Sequence, residues 1–265
     1  MSSELLHVAR TIALDAAGLA AQRRREGVEV AATKSSLVDV VTQADRDVEQ
    51  LIRDRIAEAR PDDAILGEEG GATGGSSGTT WVVDPIDGTV NYLYGIPHYA
   101  VSIAVVEGDP DPLTWTALAG VVVNPATGEL FTAARGGGAR LDDRPIRVAD
   151  PVPLSQALVA TGFAYDAATR GRQGEVVARL LPQVRDIRRN GTASLDLSFV
   201  ATGRLNAYFE RTLSPWDHAA GALIAEEAGG VVRGLNGARP SRDFIIAGHP
   251  DVVGPLEELL VELGV

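Results

Sequence analysis

The stretch Trp81-Val82-Val83-Asp84-Pro85-Ile86-Asp87-Gly88-Thr89 restricts the fold more than any other part of the chain. The large and β-branched residues from Trp81 to Val83 read as a buried strand with no solvent face. Pro85 has no N–H and a fixed φ, so the ladder is expected to stop there and the chain to turn. Asp84 and Asp87 can then face one point, where a hard divalent cation would find oxygen ligands. Gly88 lets backbone N–H groups approach an anion closely, and Thr89 places a hydroxyl beside it. An acidic Asp-Gly turn with no chemistry is the plain alternative.

Composition narrows the function classes. The 265 residues, 45% hydrophobic and 23% charged, suffice for a substantial core. We expect one domain over 1–265, its halves 1–150 and 151–265 meeting near Pro151 and Pro153. The formal net charge of −12 argues against a nucleic-acid partner. Arg23 to Arg25 and Arg185 to Arg189 are the only basic runs, and they read as solvated faces. There is no cysteine, which excludes disulfides, thiolate metal sites and cysteine nucleophiles. No secretory signal or membrane-spanning apolar run is evident, so a cytoplasmic protein is expected.

Apolar spacing predicts helices over 3–25 and 42–60, with Asp45 in the first turn of the second, where the helix dipole favours a carboxylate. The turn Gly67-Glu68-Glu69-Gly70 follows the short apolar run Ala64 to Leu66. The Gly/Ser/Thr-rich stretch Gly70 to Thr80 reads as a flexible loop and candidate lid. Runs at 99–106, 115–123, 129–133 and 140–141 predict an antiparallel meander. Beyond residue 151, strands at 158–161, 206–210, 231–232 and 244–247 alternate with helices at 173–181, 193–201, 219–228 and 252–263. A meander followed by strand–helix alternation implies a layered α/β architecture. Asp217, just before an apolar helix, reads by itself as an N-cap. Of the four histidines, His218 is the one expected near a site; His7, His98 and His249 read as surface or turn residues.

Together these pieces resemble the inositol monophosphatase family, within the metal-dependent, lithium-sensitive sugar phosphatases. The resemblance rests on Gly67-Glu68-Glu69, on Asp84-Pro85-Ile86-Asp87-Gly88-Thr89-Val90-Asn91-Tyr92 and on Trp216-Asp217-His218-Ala219-Ala220-Gly221. Asp39-Val40-Val41-Thr42-Gln43-Ala44-Asp45 and Gly191-Thr192-Ala193-Ser194 support it. They come in family order at family spacing and cover most of the chain. The resemblance implies a five-layer αβαβα sandwich and a homodimer.

By position, it implies that Glu68, Asp84 and the Ile86 carbonyl hold a first Mg²⁺. Asp84 would bridge to a second ion completed by Asp87 and Asp217, and Glu68 would help hold a weaker third. Thr89 and Asp45 would activate the attacking water, with Lys34 near it. The N–H groups of Gly88 and Thr89 would cradle the phosphate, while Gly191, Thr192, Ala193 and Glu210 would contact substrate hydroxyls. Oxygen-only ligands suit Mg²⁺ or Mn²⁺, and Li⁺ is the expected inhibitor. The implied reaction is hydrolysis of a small phosphorylated polyol, myo-inositol 1-phosphate first, by direct attack of water. Histidinol phosphate, fructose 1,6-bisphosphate and a 3′-phosphoadenosine nucleotide are alternative substrates. A regulatory binding protein with secondary catalysis is the alternative of another class.

Overall fold

A computed structural model describes residues 2–28, 30–33 and 40–265, and its first long helix carries an apolar stripe. Helix α1 (Ser2–Glu26) buries Leu5, Ala9, Ile12, Ala13, Ala16, Ala17 and Ala20 and ends on three arginines, where the helix dipole favours cations. Strands β1 (Val30–Thr33) and β2 (Val40–Thr42) pair antiparallel. They lead into α2 (Gln43–Ala59), which buries Ala44, Val48, Ile52 and Ile56.

The first half then builds an eight-stranded sheet. Its strands are β3 (Ala64–Gly67), β4 (Gly71–Thr73), β5 (Thr79–Asp87), β6 (Ala100–Glu107), β7 (Thr116–Val123), β8 (Leu130–Ala134), β9 (Gly138–Leu141) and β10 (Arg144–Pro145), with the short helix α3 (Thr89–Tyr94) after β5. The spatial order is β10-β9-β8-β7-β6-β5-β3-β4. The expected meander is present as β6 to β10, antiparallel throughout. Only β3 and β5 run parallel.

The second half contributes β11 (Leu158–Thr161), α4 (Ala167–Leu180), β12 (Asp186–Arg188), α5 (Ala193–Ala201), β13 (Ala207–Glu210), α6 (Pro215–Glu227), β14 (Val231–Arg233), β15 (Ile245–Gly248) and α7 (Pro250–Leu263). Its five-stranded sheet has the order β12-β11-β13-β15-β14.

Period-2 alternation sorts the core into layers. On β5, Trp81 and Val83 pack with α1 and α2, whereas Val82 packs with α5 and α6. In the second sheet Ala160, Tyr208 and Ala247 face α5 and α6, while Val159, Phe209 and Ile246 face α4 and α7. The sequence of layers is therefore helices, sheet, helices, sheet, helices: the five-layer αβαβα sandwich. Helix α6 can lie close on the first sheet because Gly120 of β7 has no Cβ. One there would stand 2.9 Å from the Ala220 carbonyl oxygen.

Three expectations need correction. Pro85 does not end the ladder: β5 resumes pairing at Asp87, opposite Ala100, after a bulge between Asp84 and Asp87. The stretch Gly70 to Thr80 is not an unstructured loop, because Gly71 to Thr73 pair with β3 and the N–H groups of Ser76 and Ser77 donate to the Asp62 carbonyl. Those contacts carry it back to the start of β3, away from Glu68. Finally, α6 begins at Pro215, four residues before the expected start. Sequence periodicity also gave no sign of β12 or α3.

Candidate active site

The parallel pair β3 and β5 fixes the centre of the site. Gly67 pairs with Val83, and the N–H of Glu68 donates to the Val83 carbonyl. Glu68 and Asp84 thus leave neighbouring parallel strands at their carboxyl ends, the usual place for a ligand in such a sheet. The turn bearing Glu68 is held from beneath by Glu49 of α2. That buried carboxylate accepts the N–H groups of Glu69 and Gly70, both at 2.7 Å, and pairs with Arg53 at 2.7 Å. Gly67 and Gly70 lack side chains because a Cβ at either would overlap Glu49 and Arg53.

The bulge at Pro85 turns Asp87 toward α5, where its carboxylate accepts the Ser194 N–H at 2.8 Å and the Ser194 hydroxyl at 2.6 Å. Asp217 is the third residue of α6 rather than the expected N-cap. Ser214 caps the helix, and the Asp217 carboxylate accepts the Ser214 N–H at 2.6 Å in a capping box. Asp45 holds the equivalent place in α2, capped by Thr42. It is fully buried and accepts the Thr89 hydroxyl at 3.2 Å, a hydroxyl that also lies 3.1 Å from the Ile86 carbonyl.

Glu68, Asp84, Ile86, Asp87, Gly88, Thr89, Gly191, Thr192, Ala193, Glu210 and Asp217 line one cavity of about 500 Å³. All these predicted residues are brought together, and Asp45 reaches the cavity through Thr89. Lys34 and Asp39 lie outside the described residues. The Thr192 hydroxyl donates to the His98 carbonyl at 2.8 Å, which fastens the loop that carries this residue along the cavity wall. One prediction changes. His218 lies behind α6, 6.3 Å from the Trp115 ring, in a separate cavity, where burial pushes its pKa down to about 4.

The cavity also has features that sequence reading missed. Arg189 and Arg242 line it, and Asn91 ties α3 to the opposite wall by donating to the carbonyls of His98 and Asn190 at 2.7 and 2.8 Å. Asn91 belongs to the quoted motif, so its presence was visible but its bonding was not. Gly88 takes φ 89° with Thr192 packed where a Cβ would point, so glycine is required there.

Electrostatics follow from this crowding. Burial, and then the charges of Glu68, Asp87 and Asp217, hold the Asp84 carboxyl well above the ordinary carboxylate range. Asp217 is raised in the same way, by burial and then by Glu68 and Asp87. Burial pushes Asp87 up to about 6 against the stabilising bonds from Ser194, and pushes Asp45 up to about 7 against those from Thr42. Among the described residues, no three acidic or histidine side chains are gathered tightly enough to hold a metal ion as they stand. The donor chemistry nevertheless fits one: Glu68, Asp84, Asp87 and Asp217 offer only hard oxygen, in a wall that favours their ionised forms once a cation is near.

Comparison with known proteins agrees with this geometry. The inositol monophosphatase family profile matches residues 1–261. The chain belongs to the inositol monophosphatase family. An inositol-1-monophosphatase of Mycobacterium bovis is 45% identical over 245 residues, 86% of this chain and 82% of that protein. The Nus factor SuhB of Xylella fastidiosa is 43% identical over 241 residues, 87% of this chain and 85% of that protein. Among solved structures, the extragenic suppressor protein SuhB of Bartonella henselae superposes with a TM-score of 0.89 at 36% identity, covering 99% of this chain and 100% of that one. The protein is accordingly a phosphoric monoester hydrolase on this fold, in a family that is generally metal-dependent. No described helix is long and apolar enough to cross a membrane.

Proposed function

We propose that the protein hydrolyses myo-inositol 1-phosphate to myo-inositol and phosphate with Mg²⁺. One observation carries the reading: four carboxylates from three separate segments, Glu68 after β3, Asp84 and Asp87 on β5 and Asp217 on α6, line a single cavity that Glu210 and Gly191 also line. Together with the Ile86 carbonyl they are the residues that would hold the metal. Bound there, Mg²⁺ supplies Lewis-acid polarisation of the phosphoryl group and a lowered pKa for water. Mn²⁺ is the expected substitute and Li⁺ the expected inhibitor.

The protein's own groups do the rest. Thr89 Oγ1, fixed between Asp45 and the Ile86 carbonyl, orients the attacking water. Asp45 receives the proton through Thr89, and a carboxyl held up to about 7 is matched to proton exchange near neutral pH. The first N–H groups of α3, at Gly88 and Thr89, have no partner within the helix and face the phosphate. Arg189 and Arg242 add positive charge at the rim. Glu210, as a carboxylate, accepts hydrogen bonds from ring hydroxyls.

The test is phosphate release with Mg²⁺ from myo-inositol 1-phosphate, histidinol phosphate, fructose 1,6-bisphosphate and 3′-phosphoadenosine 5′-phosphate. Fastest turnover of the inositol ester is expected; preference for another ester would replace the substrate, and no turnover would overturn the reading. The X. fastidiosa relative's name motivates a second reading, a binding role beside catalysis. A homodimer is part of the proposal, to be checked by solution mass.

A further inference from the structure

Glu210 stands at the last position of β13, two residues from Tyr208, so both side chains leave the same face of the strand. That face looks toward α5 and α6. Tyr208 is fully buried there, and its hydroxyl donates to the Glu210 carboxylate at 2.5 Å. The neighbouring parallel strand β11 pairs Thr161 with Phe209, which puts Gly162 beside Glu210. A Cβ on Gly162 would overlap the carboxyl carbon and both oxygens of Glu210, so that carboxylate lies flat against the glycine. The three atoms nearest that Cβ position all belong to the Glu210 carboxylate, so an added methyl first displaces the far end of one flexible side chain.

We infer that Gly162 and Tyr208 are positioning residues that set the substrate selectivity of the site, by fixing the Glu210 carboxylate where it meets the hydroxyls of a polyol ring. The inference rests on the proposed polyol phosphatase reading. Gly162 supplies the room and Tyr208 the directed bond, so Glu210 keeps one orientation before substrate arrives. An acceptor held in place discriminates between a ring with hydroxyls and one without, because little ordering remains to be done on binding. Glu210 also borders a second cavity of about 290 Å³, lined by Phe209, Val176 and Arg172, so the space beside a displaced carboxylate is not filled.

The readout is selectivity, the ratio of kcat/KM for myo-inositol 1-phosphate to that for p-nitrophenyl phosphate, which has no ring hydroxyls. Gly162→Ala and Tyr208→Phe are each expected to lower this ratio about tenfold, the size of one lost hydrogen bond to a charged acceptor. The loss should fall on KM for the inositol ester, with the thermal midpoint of Gly162→Ala near that of the parent protein. Glu210→Gln is the control. If Glu210→Gln lowers the ratio while both other variants keep it, the positioning role is wrong. If Glu210→Gln itself leaves the ratio unchanged, Glu210 does not read ring hydroxyls, and the underlying polyol reading fails with the inference. Should Gly162→Ala fold poorly, Tyr208→Phe alone decides, since it removes one oxygen without adding volume.

Discussion

Asp63, just before β3, shows how a single carboxylate can organise a neighbourhood. It is buried and accepts the Trp81 indole N–H at 2.9 Å, the Ser77 hydroxyl at 2.6 Å and the Arg60 guanidinium at 2.9 Å. Burial pushes its pKa up, but these bonds outweigh burial and hold it below the usual value. The folded protein therefore binds this proton less tightly than the unfolded chain. The stabilisation is present above about pH 4, the unfolded carboxylate value, and is lost as pH falls through the lower folded value. Asp63→Asn should cost about 1–3 kcal/mol at pH 7, the penalty for weakening bonds to buried donors. Denaturant midpoints of the two proteins should converge toward pH 3; a gap as large at pH 3 as at pH 7 would exclude this account. Nothing in the local sequence announces the role, because Trp81 and Ser77 reach Asp63 only after β5 pairs with β3.

At the scale of elements, the close approach of β7 and α6 matters most. Gly120 faces the Ala220 backbone, with a Cβ position 3.1 Å from the Ala220 Cα. Gly120→Val meets the Ala220 backbone, so α6 has to move, at about 1–3 kcal/mol for overpacking. Since α6 carries Asp217, activity should fall by more than the loss of folded protein explains. Thermal melts combined with phosphate release check this, and a variant with parental melting and activity would contradict it. Elements with a strong apolar period, such as α2, β5 to β7 and α7, could be read directly from sequence. Edge strand β12 could not, because Asp186 and Arg188 are exposed and carry no apolar pattern. Helix α3, with six residues, is too short to show a period. Gly70 to Thr80 misled for another reason: two of its glycines serve close packing, Gly70 against Glu49 and Arg53, and Gly75, where a Cβ would overlap the start of β3.

Over the whole molecule, the site gathers helix starts. Asp45 and Asp217 are the third residues of α2 and α6, Ser194 lies in the first turn of α5, and Gly88 caps α3. The positive ends of these dipoles focus on one cavity of a strongly acidic protein, which favours both the carboxylates and an incoming phosphate. The carboxylates were legible as a set because the family motifs announce them. Their supports were not: Glu49, Ser194 and Tyr208 act through contacts that only the tertiary fold creates. These carboxylates are predicted to work by holding Mg²⁺. The most direct test is phosphate release from myo-inositol 1-phosphate by the parent protein and by Asp84→Asn, with Mg²⁺ and after chelation. The parent is predicted to turn over with Mg²⁺ and to lose activity on chelation, while folded Asp84→Asn stays inactive in both. Turnover that survives chelation, or an Asp84→Asn variant with the parental rate, would contradict the account.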